Sequence, residues 1–175
     1  MAVKVPDLSL LEGVVALEIL AAMRSASSQL ARTGVRHALI GALAVGAWGY
    51  PRASRDVDFL VGEEAFERHE GGIVTMTPGV PIEAGGIPVD HLGILPHEDH
   101  LEQALGRPAG GEDLPIAPLD ALIYLKLKSP RRRDEADVLE LLRVNDPKPV
   151  RLYLEKNAPE MLPKFDAIAS EANAD

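Results

Sequence analysis

Leu10, Val14, Leu17 and Ala21 recur at helical spacing, so residues 8–32 are predicted to form an amphipathic helix with this stripe on a core. Thr33-Gly34 supplies its stop. The apolar run 35–40 reads as a short buried strand, and Gly41-Ala42 opens a short helix that reaches about Trp48. Gly49-Tyr50-Pro51 ends that helix, because proline lacks an amide hydrogen and restricts the residue before it. A second strand is predicted at 56–61, then a helix at 63–70 closed by Gly71-Gly72. Strands follow at 73–76, 80–84 and 87–94, the last two joined by a hairpin at Ala84-Gly85-Gly86. A helix at 97–105 and a loop at 106–111 lead to a helical run at 119–128, 131–144, 149–156 and 159–172. The pattern predicts an α/β (α+β) fold. A mixed sheet with packed helices occupies residues 1–117, and 118–175 form a helical C-terminal extension packed on it.

Composition narrows the class without changing the elements. A chain of 175 residues, 46% hydrophobic and poor in aromatics, can build one Ala/Leu/Val core. The net charge of −9 excludes a protein that coats long nucleic acid non-specifically, though not one with a local basic site. The absence of cysteine removes disulfides and thiolate metal sites and fits a cytoplasmic protein. Glu12 and Glu18 interrupt the apolar N-terminal segment, which argues against a signal core, and no uncharged run is long enough to span a membrane.

The chemistry concentrates in IGALAVGAWGYPRASRDVDFLV, residues 40–61. Alternate strand residues share a face, so Asp56 and Asp58 project together while Val57 and Phe59 point to the core. Two carboxylates this close repel unless one is protonated or a cation lies between them, and Mg²⁺ or Mn²⁺ suits such hard oxygen ligands. Asp90, on a later strand of the same half, is the third carboxylate a two-metal site needs. The small-residue turn at Gly41-Ala42 leads into a helix whose first amides can face a phosphate.

These residues resemble the nucleotidyltransferase superfamily of the DNA polymerase β type. The family's apolar-Gly-(Gly/Ser), spacer and Asp-x-Asp pattern reads here as Ile40-Gly41-Ala42, thirteen residues, then Asp56-Val57-Asp58-Phe59. More narrowly, residues 49–58 and the late segment LKLKSPRRRDEADV (125–138) are similar to minimal, AbiEii-like bacterial nucleotidyltransferases, a kind often found in toxin–antitoxin pairs. The resemblance covers roughly 35–142. It implies a nucleotidyltransferase-like sheet, a nucleoside triphosphate as substrate, an acceptor that is RNA, protein or a small molecule, and a possible partner protein. Asp56, Asp58 and Asp90 become the catalytic, metal-holding residues. Gly41, Ala42, Arg52, Ser54 and Lys126 become the phosphate side, Lys126 by its match to a family lysine. Ala42 departs from the usual Gly or Ser, so the amide remains and the hydroxyl does not.

Lys128 lies about 200° around the helix from Lys126 and is predicted to face elsewhere. Asp134 and Asp137, at i, i+3, are read as structural partners of nearby basic residues. His97 and His100 have no zinc-like spacing, and His91 is expected on the opposite strand face from Asp90. Two rival functions stand beside the enzyme. One is a non-catalytic nucleotidyltransferase-like module that binds a partner protein. The other is an RNA-binding module, which the scarcity of stacking aromatics opposes.

Overall fold

In the computed structural model, residues 4–110 and 114–174 are described. The chain opens with a 3-10 turn, Leu8–Leu11, capped by Asp7, whose carboxylate accepts from the Ser9 amide at 2.9 Å. The first α-helix (α1) spans Leu17–Arg32 and does not begin at residue 8 as predicted. Gly13 at φ +77° separates the two segments. The buried stripe is also displaced by about one position. Leu11, Val15, Ile19, Met23, Ala26 and Leu30 are in the core, whereas Leu10, Val14 and Leu17 are exposed. The predicted stripe fails because Arg24, Ser25 and Ser28 give it no apolar continuation, while the Ile19 series runs to the helix end.

Strand β1 (His37–Ile40) leads directly into α2 (Gly41–Ala47), and β2 is Val57–Val61. The predicted helix at 63–70 is absent. A 3-10 turn, Glu63–Ala65, passes into β3 (Phe66–Arg68), a second turn (Glu70–Gly72) and β4 (Val74–Met76). The two strands form an antiparallel ribbon in which Phe66 opposes Met76, a pairing a short two-turn helix would forgo. Strand β5 is only Glu83–Ala84, since Pro81 cannot donate to a ladder, and β6 is Ile87–Leu92. Gly85 and Gly86, both at positive φ, make the predicted two-residue hairpin between them.

The main sheet has the order β1-β2-β6-β5. Strand β2 is antiparallel to β1 and parallel to β6, with Asp58 opposite Asp90 and Val57 opposite Val89. Helix α1 covers the face carrying Phe59: Ser27 of α1 hydrogen-bonds His37 at 2.8 Å, and the His37 ring meets Phe59 edge-on at 5.4 Å. The other face, which carries Asp58 and Leu60, receives α2. Helices α3 (Asp99–Leu105), α4 (Leu119–Lys128), α5 (Arg132–Val144), α6 (Pro147–Asn157) and α7 (Leu162–Ala172) complete the chain, with a 3-10 turn at Pro159–Met161. Buried polar ties join the parts: Trp48 Nε1 donates to the Ala117 carbonyl, and Asn145 Nδ2 to those of Trp48 and Leu141, each at 3.0 Å. Among the described residues, no helix is long and apolar enough to cross a membrane.

The seam between α2 and the N-terminal turn is tight. A Cβ at Gly46 would lie 2.4 Å from Leu11 Cδ2 and 3.2 Å from the Pro51 Cα. Leu11 is fully buried and has no solvent to swing into. Gly46→Ala is therefore expected to lower unfolding free energy by about 1–3 kcal/mol. Denaturant titration checks this; a wild-type midpoint would mean the seam has slack.

Candidate functional site

Register brings the three predicted carboxylates together. Asp58 and Asp90 are paired neighbours on β2 and β6, and Asp56 precedes β2 on the same side. One carboxylate oxygen from each of Asp56, Asp58 and Asp90 lies within 4.8 Å of the others, a group able to hold a metal ion. Ser54 braces this arrangement, its hydroxyl donating to the Asp56 carbonyl at 3.0 Å.

Gly41 makes room for the cluster. Its φ is +69°, and a Cβ there would sit 2.4 Å from Asp58 Oδ2. Any side chain at 41 would be strained in backbone and would strike the carboxylate. The small residue in the turn thus serves Asp58 directly. Helix α2 is only seven residues long, so its dipole is a modest contribution to anion binding beside the cations described next.

The carboxylates lie in a cleft of about 890 Å³, within the size range of sites for nucleotide-sized ligands. Gly41, Ala42, Arg52, Ser54 and Lys126, the predicted phosphate side, all line it. So do Arg55, Arg131 and Arg133, which the sequence pattern did not assign to the site, and the apolar Leu122 and Leu125.

Lys126 is buried in a lattice of ion pairs. Its Nζ contacts Asp134 Oδ1 at 2.7 Å and Asp137 Oδ2 at 2.9 Å. Asp137 also accepts from Arg52 Nε at 3.0 Å and Nη2 at 2.9 Å, a bidentate pair. Asp134 accepts further from Ser129 Oγ and, at 2.9 Å, from Arg131 Nε. Burial pushes the Asp134 carboxyl up, but the hydrogen bonds from Lys126 and Ser129 prevail and hold it below its usual value. Asp134 and Asp137 therefore act as counter-ions, as their spacing predicted.

Lys128, His97 and His100 lie outside the cleft, and His91 lines its edge. Lys128 pairs at 2.6 Å with the fully buried Glu98, which also accepts from Tyr124 at 2.6 Å. His100 is buried and hydrogen-bonds the Tyr153 hydroxyl, and His97 is exposed. The His91 ring stacks on Phe59 at 6.4 Å, and its Nε2 donates to the Pro81 carbonyl at 2.6 Å.

Electrostatically the cluster is under strain. Burial, then the charges of Asp56 and Asp90, push the Asp58 carboxyl up to about 6, against the pull of Lys126 and Arg131. A carboxyl raised on folding holds a proton that the unfolded chain releases between about 4 and 6. Without divalent cation, its stabilising contribution is present near pH 4 and is lost as pH rises through about 6. Asp58→Asn removes this dependence. Its melting temperature is expected to gain on wild type between pH 4 and 7, by about 1 kcal/mol after solvent screening, or roughly 2–4 °C. Parallel melting curves for the two proteins across that range would contradict the assignment.

The sequence matches no protein-family model and no curated protein sequence. Among solved structures, the chain is similar to one described as an antigenic nucleotidyltransferase-like protein from Paracoccidioides brasiliensis. The identity is 14%, the TM-score 0.49, and the match covers 92% of this chain and 94% of that one. At that level the likeness is a description, and the functional reading rests on the residues of the cleft.

Proposed function

We propose that this protein is a divalent-metal-dependent nucleotidyltransferase, and one observation carries the reading: Asp56, Asp58 and Asp90 converge in a cleft that also holds several cations. The donor set fits the metal. Three hard carboxylate oxygens that repel one another, one of them with a raised affinity for protons, are relieved by Mg²⁺ or Mn²⁺. The bound metal supplies charge neutralisation at the triphosphate and at the attacking oxygen.

In the proposed reaction an acceptor hydroxyl attacks the α-phosphorus of a nucleoside triphosphate. A new P–O bond forms, the bond between the α-phosphorus and its β-bridging oxygen breaks, and pyrophosphate leaves with that oxygen's electron pair. Asp56 and Asp58 are the residues that hold metal against the triphosphate. Asp90, the most exposed of the three, takes the acceptor hydroxyl's proton on a carboxylate oxygen and orients the attacking group. Gly41, Ala42, Arg52, Ser54 and Lys126 form the wall on the phosphate side, and Leu122 and Leu125 offer an apolar patch for a base. The acceptor is an RNA, a protein or a small molecule in a cytoplasmic setting. Kinship with AbiEii-like enzymes, and a toxin–antitoxin partner, rest on the motifs at 49–58 and 125–138.

A specific observation favours a second reading, a non-catalytic nucleotidyltransferase-like binding or regulatory module. Lys126 and Arg52, the two cations assigned to phosphate, are already paired with carboxylates. Retention of all three clustered acids favours the enzyme, since a binding module gains nothing from their repulsion.

The two readings separate on Asp90→Asn. For the enzyme, Mg²⁺ plus a nucleoside triphosphate raises the melting temperature more than either alone. Asp90→Asn keeps that synergy yet loses transfer at least ~100-fold, and Asp58→Asn loses the synergy as well. Transfer is read by incubating protein, Mg²⁺ and each labelled nucleoside triphosphate with a cell lysate and following the label. Wild-type protein that binds nucleotide and labels nothing would decide for the regulatory module.

A further inference from the structure

The cations of the cleft fall into two groups, and the division reverses the expectation from motif alone. Lys126 is buried, with two of its three N–H donors directed at Asp134 and Asp137. Turning it toward a ligand would leave two buried carboxylates short of a partner, a heavily penalised state. Arg52 commits Nε and Nη2 to the same Asp137 in a planar fork. Arg131 is exposed but gives its Nε to Asp134. Arg55 and Arg133 differ from all three. Both are exposed, both line the cleft, and neither has an ion pair or hydrogen bond among the described residues.

The position of Arg133 adds an independent point. It lies with Arg132 in the first turn of α5, next to the N-cap residue Arg131. The positive end of a helix dipole disfavours arginine there and favours acids, such as the Asp134 and Glu135 that follow. Arg131 is compensated by its pair with Asp134, and Arg133 has no such pair. Arg132 breaks the same rule, but of the two only Arg133 lines the cleft, where a ligand would offset the cost.

We propose that Arg55 and Arg133 are the residues that grip the anionic part of the ligand, and that Lys126, Arg52, Asp134 and Asp137 are a positioning lattice that holds those two arginines at a set separation. The inference rests on the nucleotidyltransferase reading and assigns the polyphosphate contacts within it. Asp137 makes the frame rigid by binding Arg52, from the loop that carries Arg55, and Lys126 on α4, while itself belonging to α5, which carries Arg133. Two guanidinium forks on one frame suit a ligand with several charged oxygens in a row, and a triphosphate spans more than one fork.

The test titrates inorganic triphosphate, in Mg²⁺, into wild-type protein and into Arg55→Gln, Arg133→Gln and Arg132→Gln. Arg132 shares the first turn of α5 but does not line the cleft, so it controls for diffuse charge. All three positions are exposed, and melting temperatures should stay at the wild-type value. Arg55→Gln and Arg133→Gln should each weaken binding about tenfold or more, the scale of one lost charged hydrogen bond, with Arg132→Gln within about twofold of wild type. Lys126→Met should differ in kind, lowering the melting temperature along with affinity. Wild-type affinity in both Arg55→Gln and Arg133→Gln overturns this inference alone. Equal weakening in all three arginine variants also overturns it, since the run then acts as diffuse charge. Wild-type protein that takes up no triphosphate overturns the nucleotidyltransferase reading and this inference with it.

Discussion

Parallel pairing of β2 with β6 sets Asp58 beside Asp90, and the sheet has to hold two like charges together that would separate in water. What holds them is the opposite face. Val57, Phe59 and Val89 are buried, with Phe59 wedged between the rings of His37 and His91. A slip of one residue in either strand would carry a carboxylate into that core and an apolar side chain out of it, so the hydrophobic face fixes the register of the acids. Burial first, and then this repulsion, raise the proton affinity of Asp58 in the folded chain. Gly41 belongs to the same constraint, since β1 feeds α2 across the sheet end at a distance only a glycine allows.

The second charged lattice has the opposite logic. Asp134 and Asp137 are as buried as any core residue and are tolerated because Lys126, Arg52, Arg131 and Ser129 satisfy them. Buried ion pairs add little net stability, since desolvation offsets most of the attraction, but they specify geometry. Here the geometry joins the loop before β2 to the neighbouring ends of α4 and α5, which lie far from it in sequence. The strained carboxylates and the satisfied ones thus stand in one cleft. The first group is suited to receive a cation, and the second fixes the wall beside it.

The elements that carry the site were legible because their signals were local. Asp56 and Asp58 follow from strand alternation, Asp90 from its place on a later strand of the same half, and the helix Leu119–Lys128 has both of its predicted ends. The errors arose where two patterns competed over a few residues. Leu10, Val14 and Leu17 made a plausible stripe beside that of Leu11, Val15 and Ile19, and only the continuation to Leu30 distinguishes them. At 63–70 a helix and a ribbon were both possible, and the cross-strand partner of Phe66 lies ten residues downstream at Met76. Pairings are harder still. Nothing in a linear sequence says that Asp137 would take up Arg52, eighty-five positions away, and so shield the lysine that the motif marks as a phosphate ligand. One clue was present: three consecutive arginines at the start of a helix oppose its dipole.

The charge distribution bears on what such a cleft admits. The protein carries −9 overall, yet Arg52, Arg55, Lys126, Arg131 and Arg133 face one hollow. At physiological salt, charges are screened beyond about 8 Å, so a ligand within the hollow meets mainly its lining, those five cations together with Asp56, Asp58, Asp90 and Asp134. A long polyanion extends past that distance and meets a surface dominated by acids. With a divalent metal offsetting the acid cluster, Arg55 and Arg133, unpaired among the described residues, can attract a compact phosphate-bearing ligand while the whole protein resists general adhesion to nucleic acid. A long polyanion would have to present a narrow end to the cleft rather than lie along the protein.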